Sequence, residues 1–421
     1  MPKLLPKLTY NLSIKHNYMK VLFVNPVGII GGAERALLTI LAALRTAQPN
    51  IQLHLIVGTD GLLVKSAEEL GVQVKILPLP QEVLQLGDSA LKGKSRVMAI
   101  LRLLWRSAAA LPAIRKYLGE FRQTIQEINP NLIHSNGIKT HLLTGLLGLN
   151  SIPLIWHIHD FYSTRPLMAK ILKLISNRAT AGIAITEAVA IDARKTLPNL
   201  PIEVIYNSVD VNYFSPGNPN LPVDTIKVGL VATFARWKGH DVFLEAAANL
   251  IREQPNLNVR FYIVGGAIYE TKGSQFSEQE LRELASSLQI ADKVEFLGFQ
   301  QNIAEIYRWL DIVIHASTQP EPFGLAIVEA MACGKPVIVS QAGGAAELFT
   351  HNYDAVGFTP GNRTALASAI LHLIDNPELR KTLSENARST VIKRFNHQHL
   401  ATQILTFYNS IITSKTLRPS A

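Results

Sequence analysis

Short apolar runs separated by helical patterns recur along most of the chain. The first, VLFVN at 21–25, is apolar at both odd and even positions, the mark of a strand buried on both faces of a parallel sheet. A glycine-rich turn, PVGIIGGAER, follows, and the apolar spacing of ALLTILAALRTA then predicts a helix. QLHLIVG, VQVKILPL, NLIHSN, PLIWHIHD and AGIAIT repeat the strand signal with helical patterns between them. The alternation breaks at VIYNSVD (204–210) and at SPGNPNLP, whose Pro, Gly and Asn read as a linker. It restarts with IKVGLVATF, NVRFYIVGG, KVEFLG, DIVIHAS, KPVIVS and AVGFT. The pattern predicts an α/β protein of two doubly wound domains facing a cleft, residues 1–205 and 206–395. The tail from Pro377 to Thr413 is helical with no strand of its own, and residues 396–421 are expected to pack back on the first domain. Ligands of such sheets bind outside the carboxyl ends of the strands.

Composition narrows the partners. With 421 residues, 48% hydrophobic and 17% charged, the chain can build two or three ordinary domains with large cores. Its one cysteine, Cys333, excludes an internal disulfide framework and a multi-cysteine metal site, and suits a reducing compartment. A net charge of +9 fits nucleic acid, an anionic membrane surface or a phosphate-bearing substrate. No nucleic-acid-binding motif is present, so nucleic acid is the weakest of the three. The first twenty residues lack an apolar signal core, and the best spanning candidate, Val97 to Ile114, is interrupted by Arg102 and Arg106. A cytoplasmic protein, soluble or peripheral to a membrane, is expected. Lys92 to Arg122 alternates Lys and Arg with leucines and Trp105. It reads either as a membrane-surface helix or as a domain helix with a basic outer face.

The stretch EPFGLAIVEAMAC, Glu321 to Cys333, carries the most chemistry. Pro320 and Pro322 bracket Glu321 and keep it out of a regular helix. Good helix formers run from Leu325 to Ala332, Gly334 ends them, and Val337 to Val339 reads as a strand. The amides of Phe323, Gly324 and Leu325 would lie at a positive helix end suited to an anion or an oxygen-rich ligand. Glu329 falls within an otherwise apolar helix, where a carboxylate needs hydrogen bonds.

Three further groups sit at expected strand ends. Gly28, Gly31 and Gly32 follow the first strand, a context for phosphate or dinucleotide binding, although a tight turn alone also accounts for them. His157, His159 and Asp160 end one strand, with both histidines on one face, and His134 and Asn136 end its neighbour. These fit an acid/base pair or metal ligands, but no third and fourth ligand has metal spacing. Arg236, Lys238 and His240 follow the first strand of the second domain, where a cationic loop suits a diphosphate or is simply solvated.

Taken together, GGAER (31–35), IHSNG (133–137), HIHD (157–160), VIYNSVD (204–210), FARWKG (234–239), IVGG (263–266), VEFLGF (294–299) and EPFGLAIVEAMACGKPVIVSQAGGAAE (321–347) resemble the family 4 retaining glycosyltransferases. That family, also called group 1, uses nucleotide sugars and has the two-Rossmann, B-type fold. The resemblance runs over almost the whole chain, and its most specific element is the E-x7-E pair Glu321 and Glu329. It implies that Glu329 holds the nucleotide ribose and Glu321 lies near the transferred sugar. It implies that the Phe323, Gly324 and Leu325 amides bind sugar hydroxyls and phosphate, with Gly265 also on the donor side. Lys238 would meet the diphosphate, with Gly31 and Gly32 closing over it and Gly298 and Phe299 near the base. His159 would stand near sugar and acceptor, with His134, Asn136, His157 and Asp160 on the acceptor side. The family's Gly-Arg is Ala232-Thr233 here, and Arg236 would take the arginine's place.

The resemblance further implies transfer from a nucleoside diphosphate sugar to a hydroxyl of a glycan, polysaccharide precursor or lipid-linked acceptor, with retained configuration. No metal or other cofactor is expected, and Lys238, Arg236 and the helix-end amides would stabilise the leaving diphosphate. The partners expected are the nucleotide sugar, the acceptor and an anionic membrane touched through Lys92–Arg122, with no nucleic acid. The competing readings are a nucleotide-sugar epimerase, a non-catalytic sugar-nucleotide-binding protein, and an oxidoreductase that leaves Glu321 and Glu329 unexplained.

Overall fold

The computed structural model describes residues 19–79, 96–149, 151–217, 225–267 and 273–416. Residues 1–18 and most of the linker lie outside this set, as do Lys92 and Lys94 and the side chains of Arg96, Arg102 and Arg106. Seven strands form the first sheet: β1 (Lys20–Asn25), β2 (Gln52–Val57), β3 (Gln73–Ile76), β4 (Leu132–Asn136), β5 (Leu154–Ile158), β6 (Ala181–Ala184) and β7 (Ile202–Val204). All pairs are parallel, in the order β3-β2-β1-β4-β5-β6-β7. The connecting helices are α1 (Gly32–Ala47), α2 (Leu62–Glu69), α3 (Arg96–Ile128), α4 (Ile138–Leu146), α5 (Pro166–Ile175) and α6 (Glu187–Thr196).

The second sheet contains β8 (Ile226–Val231), β9 (Val259–Val264), β10 (Val294–Gly298), β11 (Ile312–His315), β12 (Val337–Ser340) and β13 (Val356–Phe358). Its order is β10-β9-β8-β11-β12-β13, again all parallel. Its helices are α7 (His240–Glu253), α8 (Glu278–Ser287), α9 (Ile303–Trp309), α10 (Leu325–Ala332), α11 (Arg363–Asp375) and α12 (Pro377–Arg394), followed by α13 (His397–Thr416). Strand order reverses between β1 and β4 in one sheet and between β8 and β11 in the other. Those two reversals open the crevices in which doubly wound sheets bind ligands.

Central strands such as β4 and β5 are buried along their whole length, which is why their apolar runs show no alternation. One strand, β7, falls where the sequence reads as an approach to the linker. It has only three residues, all partly exposed, on the sheet edge after Pro201, too short for a hydrophobic period to show. In α3 the described half buries Tyr117, Phe121 and Ile125 and exposes Arg115 and Lys116. The outer face of this half also exposes Arg122, Glu120 and Glu127. Among the described residues, no helix is long and apolar enough to cross a membrane.

The last helix, α13, lies on α1. It adds Leu400, Ile404 and Tyr408 to the core formed by Leu37, Ile40 and the first sheet. A further apolar core is shared by both halves, joining Val189 and Ile185 to Val209, Phe395, Phe323 and Val328.

Candidate functional site

The reversal in the second sheet brings together β8 and β11. After β8 the chain makes a short 3-10 turn, Arg236–Lys238, and reverses at Gly239 in the left-handed region (φ 73°). A Cβ at Gly239 would lie 2.0 Å from the Ala316 carbonyl oxygen, so only glycine lets this turn close on the end of β11. Lys238 is thereby aimed across β11 at Glu321. Its Nζ donates to both carboxylate oxygens at 2.8 Å. Ser317 Oγ donates to Glu321 Oε2 at 2.8 Å, and His315 Nε2 lies 3.2 Å from the same oxygen. The Glu321 backbone is fixed as well: its N–H donates to Ala342, and its carbonyl accepts from Gly344 at 2.7 Å. Glu321 is only 7% exposed. Burial pushes its carboxyl pKa up, but the Lys238 charge and the His315 contact outweigh that and hold it well below the usual carboxylate range. The result is an acid ionised at neutral pH and locked beside a cation at the carboxyl edge of the sheet.

Glu329, inside α10, is also 7% exposed and accepts from the Tyr307 hydroxyl at 3.0 Å. Burial raises its pKa, and Arg35 and Tyr307 pull it back only in part. Arg35 stands on α1, across the cleft, with Nη1 4.0 Å from Glu329 Oε1. Gly31 caps α1 one turn before Arg35. The turn into α10 is set by Gly324 (φ 105°). Phe323 is buried, its ring against Phe395, while the backbone of the turn opens the helix.

The other expected donor-side residues are spread along the same edge. Gly298 ends β10 in the left-handed region (φ 65°), and Phe299 beside it is 66% exposed. Gly265 donates its N–H to the Gly298 carbonyl and packs on Ala232, where no side chain would fit. Arg236 points away from Lys238. Its Nη2 pairs with Glu280 on α8 at 2.7 Å, and its guanidinium lies 4.2 Å from the Phe276 ring centre.

In the first domain, the expected acceptor-side residues lie at different depths. His134 and His157 are interior residues, 0% and 1% exposed. His134 Nδ1 is 2.6 Å from the Tyr408 hydroxyl on α13, so that helix covers it. His159, one strand position beyond β5, is only partly buried and has its Nε2 2.6 Å from Asn136 Oδ1. Asp160 is paired with Arg165 at 3.2 Å. His315, Ser317, Tyr307 and Arg35 were not among the expected site residues. The alternation of His315 and Ser317 at the end of DIVIHAS is the signal that points to the first two.

A family model for glycosyl transferases group 1 matches residues 214–390, and one for glycosyltransferase family 4 matches residues 30–213. The chain belongs to the group 1, family 4 glycosyltransferases. Its fold is the two-domain B-type arrangement of solved relatives. The Anabaena protein HepE, solved in complex with UDP, is 27% identical with a TM-score of 0.74, over 93% of this chain and 100% of that one. HepE has also been solved with UDP-glucose. The N-acetyl-alpha-D-glucosaminyl L-malate synthase of Bacillus anthracis is 28% identical over 51% of this chain and 55% of its own. A D-inositol 3-phosphate glycosyltransferase of Rhodococcus opacus is 33% identical over 49% of this chain and 47% of its own. The chain thus spans about half the length of the curated relatives it matches.

In this family member the two domains are pinned next to Glu321. Glu347, in the 3-10 turn Gly344–Glu347, reaches the start of α6 in the first domain. Its carboxylate accepts from the Glu187 and Ala188 amides at 2.8 and 2.7 Å and from the Tyr206 hydroxyl at 2.8 Å. A carboxylate on a helix N-terminus is a favourable charge–dipole contact. Thr186, the cap of α6, donates to the Pro322 carbonyl at 2.9 Å, one residue from Glu321. Glu347→Ala is expected to cost roughly 1–3 kcal/mol, the range for losing a cap and a charged hydrogen bond, read as a lower urea midpoint. Glu347→Gln should recover part of that loss.

Proposed function

We propose that this protein transfers a glycosyl unit from a nucleoside diphosphate sugar to an acceptor hydroxyl, with retention of configuration and without a metal. The reading rests on one observation above others: a buried ionised acid, Glu321, held by Lys238 at the carboxyl edge of the second sheet, one helical segment from Glu329. The complexes of HepE with UDP and with UDP-glucose support a nucleotide-sugar donor. In this reading Glu329 binds the ribose hydroxyls and Glu321 orients the sugar. Lys238 shares its charge between Glu321 and the diphosphate, so leaving-group charge builds next to a preorganised cation. The backbone amides at the start of α10 bind the remaining phosphate and sugar oxygens. Arg236, engaged by Glu280, contributes to the diphosphate only by releasing that partner. The acceptor is a glycan, polysaccharide precursor or lipid-linked hydroxyl compound met at the first domain, on the cytoplasmic side.

A panel of UDP-, GDP- and ADP-sugars followed by thermal shift tests the donor. One class should raise the Tm through mass action, since it stabilises the fold by ~2.7 kcal/mol at a hundred times its Kd. Glu329→Ala should abolish most of that shift. Transfer to an acceptor, unchanged by a chelator, should accompany it. Binding without transfer would make the protein a sugar-nucleotide binder, and transfer lost on chelation would overturn the metal-free reading.

A further inference from the structure

Three neighbouring strands of the first sheet end in a row of polar residues at the point where strand order reverses. β1 ends at Asn25, β4 ends at Asn136, and β5 leads into His159. Asn25 and Asn136 are each 1% exposed. A fourth member, Glu34, comes from the first turn of α1 and is 8% exposed. His159 Nε2 is 2.6 Å from Asn136 Oδ1. Asn136 Nδ2 donates to Asn25 Oδ1 at 2.7 Å, and to the Ala33 carbonyl at 3.3 Å. Asn25 Nδ2 donates to Glu34 Oε1 at 3.2 Å and to the Val27 carbonyl at 2.7 Å. The other Glu34 oxygen accepts from the Gly31 amide at 3.1 Å.

The direction of this chain is forced by groups that only accept. The Val27 carbonyl and the Glu34 carboxylate hold the NH2 of Asn25, so its oxygen faces Asn136. The Ala33 carbonyl and the Asn25 oxygen likewise hold the NH2 of Asn136, which presents its oxygen to His159. An amide oxygen also only accepts, so the His159 nitrogen facing it must carry the proton.

We propose that Asn136 is a positioning residue that holds His159 as its Nε2–H tautomer, its own amide fixed by the Ala33 carbonyl and by Asn25, which the Val27 carbonyl and Glu34 orient in turn while Glu34 anchors the glycine loop at Gly31. Nδ1 of His159 then keeps its lone pair and accepts a hydrogen bond from a hydroxyl of sugar or acceptor in the cleft. The use made of Nδ1 rests on the glycosyl-transfer reading above; the tautomer assignment does not. One carboxylate thereby ties the loop over the donor phosphates to the residue beside the acceptor. Burying such a network is tolerable because every inward-facing group in it has a partner.

Nitrogen-15 NMR of histidine-labelled protein, with the His159 signals assigned by loss in His159→Gln, tests the arrangement directly. In the wild type, His159 should be a single Nε2–H tautomer. Asn136→Leu removes the acceptor and should convert that signal to a mixture and lower kcat several-fold more than it raises KM. Glu34→Gln leaves the Val27 and Ala33 carbonyls in place and should keep the tautomer single. An Nδ1–H tautomer in the wild type would overturn the proposal. So would a tautomer unchanged in a folded Asn136→Leu protein, even with kcat reduced. If no glycosyl transfer is found at all, the NMR result still decides the network, and only the role of Nδ1 falls.

Discussion

Lys238→Ala is expected to reduce turnover of the nucleotide sugar by roughly 10²–10³, the range for losing one preorganised electrostatic contact to developing charge. It should also destabilise the protein, because Glu321 would remain buried with Ser317 and His315 but without its cation. Breaking one side of a buried ion pair costs about 3–5 kcal/mol, most of it the penalty of the charge left behind. The two effects can be separated. Adding Glu321→Gln to Lys238→Ala removes the stranded charge, so the urea midpoint should return most of the way while activity stays low. A double variant as unstable as Lys238→Ala alone would show that the pair is not the source of the loss. A single variant with normal turnover would remove Lys238 from the chemistry.

Stability should fall steeply as pH drops below 6.5. Four histidines are fully or almost fully buried: His134, His141, His157 and His240. Burial lowers the pKa of each, to about 3 for His134 and His240 and well below the ordinary value for the other two. The Lys238 charge adds to the effect for His240. Each of His134, His141 and His157 has one ring nitrogen without a hydrogen-bond partner, so an imidazolium would bury an unpaired N–H. Below 6.5 the unfolded chain binds protons that the native state refuses, so protonation favours unfolding. One unit below that pKa each group costs ~1.4 kcal/mol, and four cost ~6 kcal/mol. That is a large share of the 5–15 kcal/mol typical of a folded protein. Urea midpoints measured from pH 7.5 to 5.5 should fall accordingly, and His141→Gln should lower the proton uptake on unfolding by about one. A flat profile over that range would contradict the buried neutral assignment. Glu321 acts with the same sign lower down: its depressed pKa supports the fold above about 4.5 and is lost only in stronger acid.

Much of the architecture was legible because parallel sheets covered on both faces write continuous apolar runs. Glu321, Glu329 and Lys238 were legible from motifs, and the meeting of Glu321 with Lys238 followed from strand ends sharing one edge. What stayed hidden depended on partners far away in the chain. Arg236 shows its charge locally but not its partner, Glu280, forty-four residues on. His134 looks like a cleft residue until α13 closes over it from the end of the chain. Glu347 reads as the last letter of a motif, and nothing local says that its carboxylate serves a helix of the other domain.

The return of α13 to the first sheet has a consequence for recombining this protein with its relatives. The boundary between halves is crossed twice, once near residue 205 and once near 396, so a chimera made with a single junction would inherit a foreign lid on its first sheet. Leu400, Ile404 and Tyr408 must travel with Leu37, Ile40 and His134. Exchanging donor preference between family members therefore calls for grafting the middle of the chain as a cassette, leaving both ends from one parent.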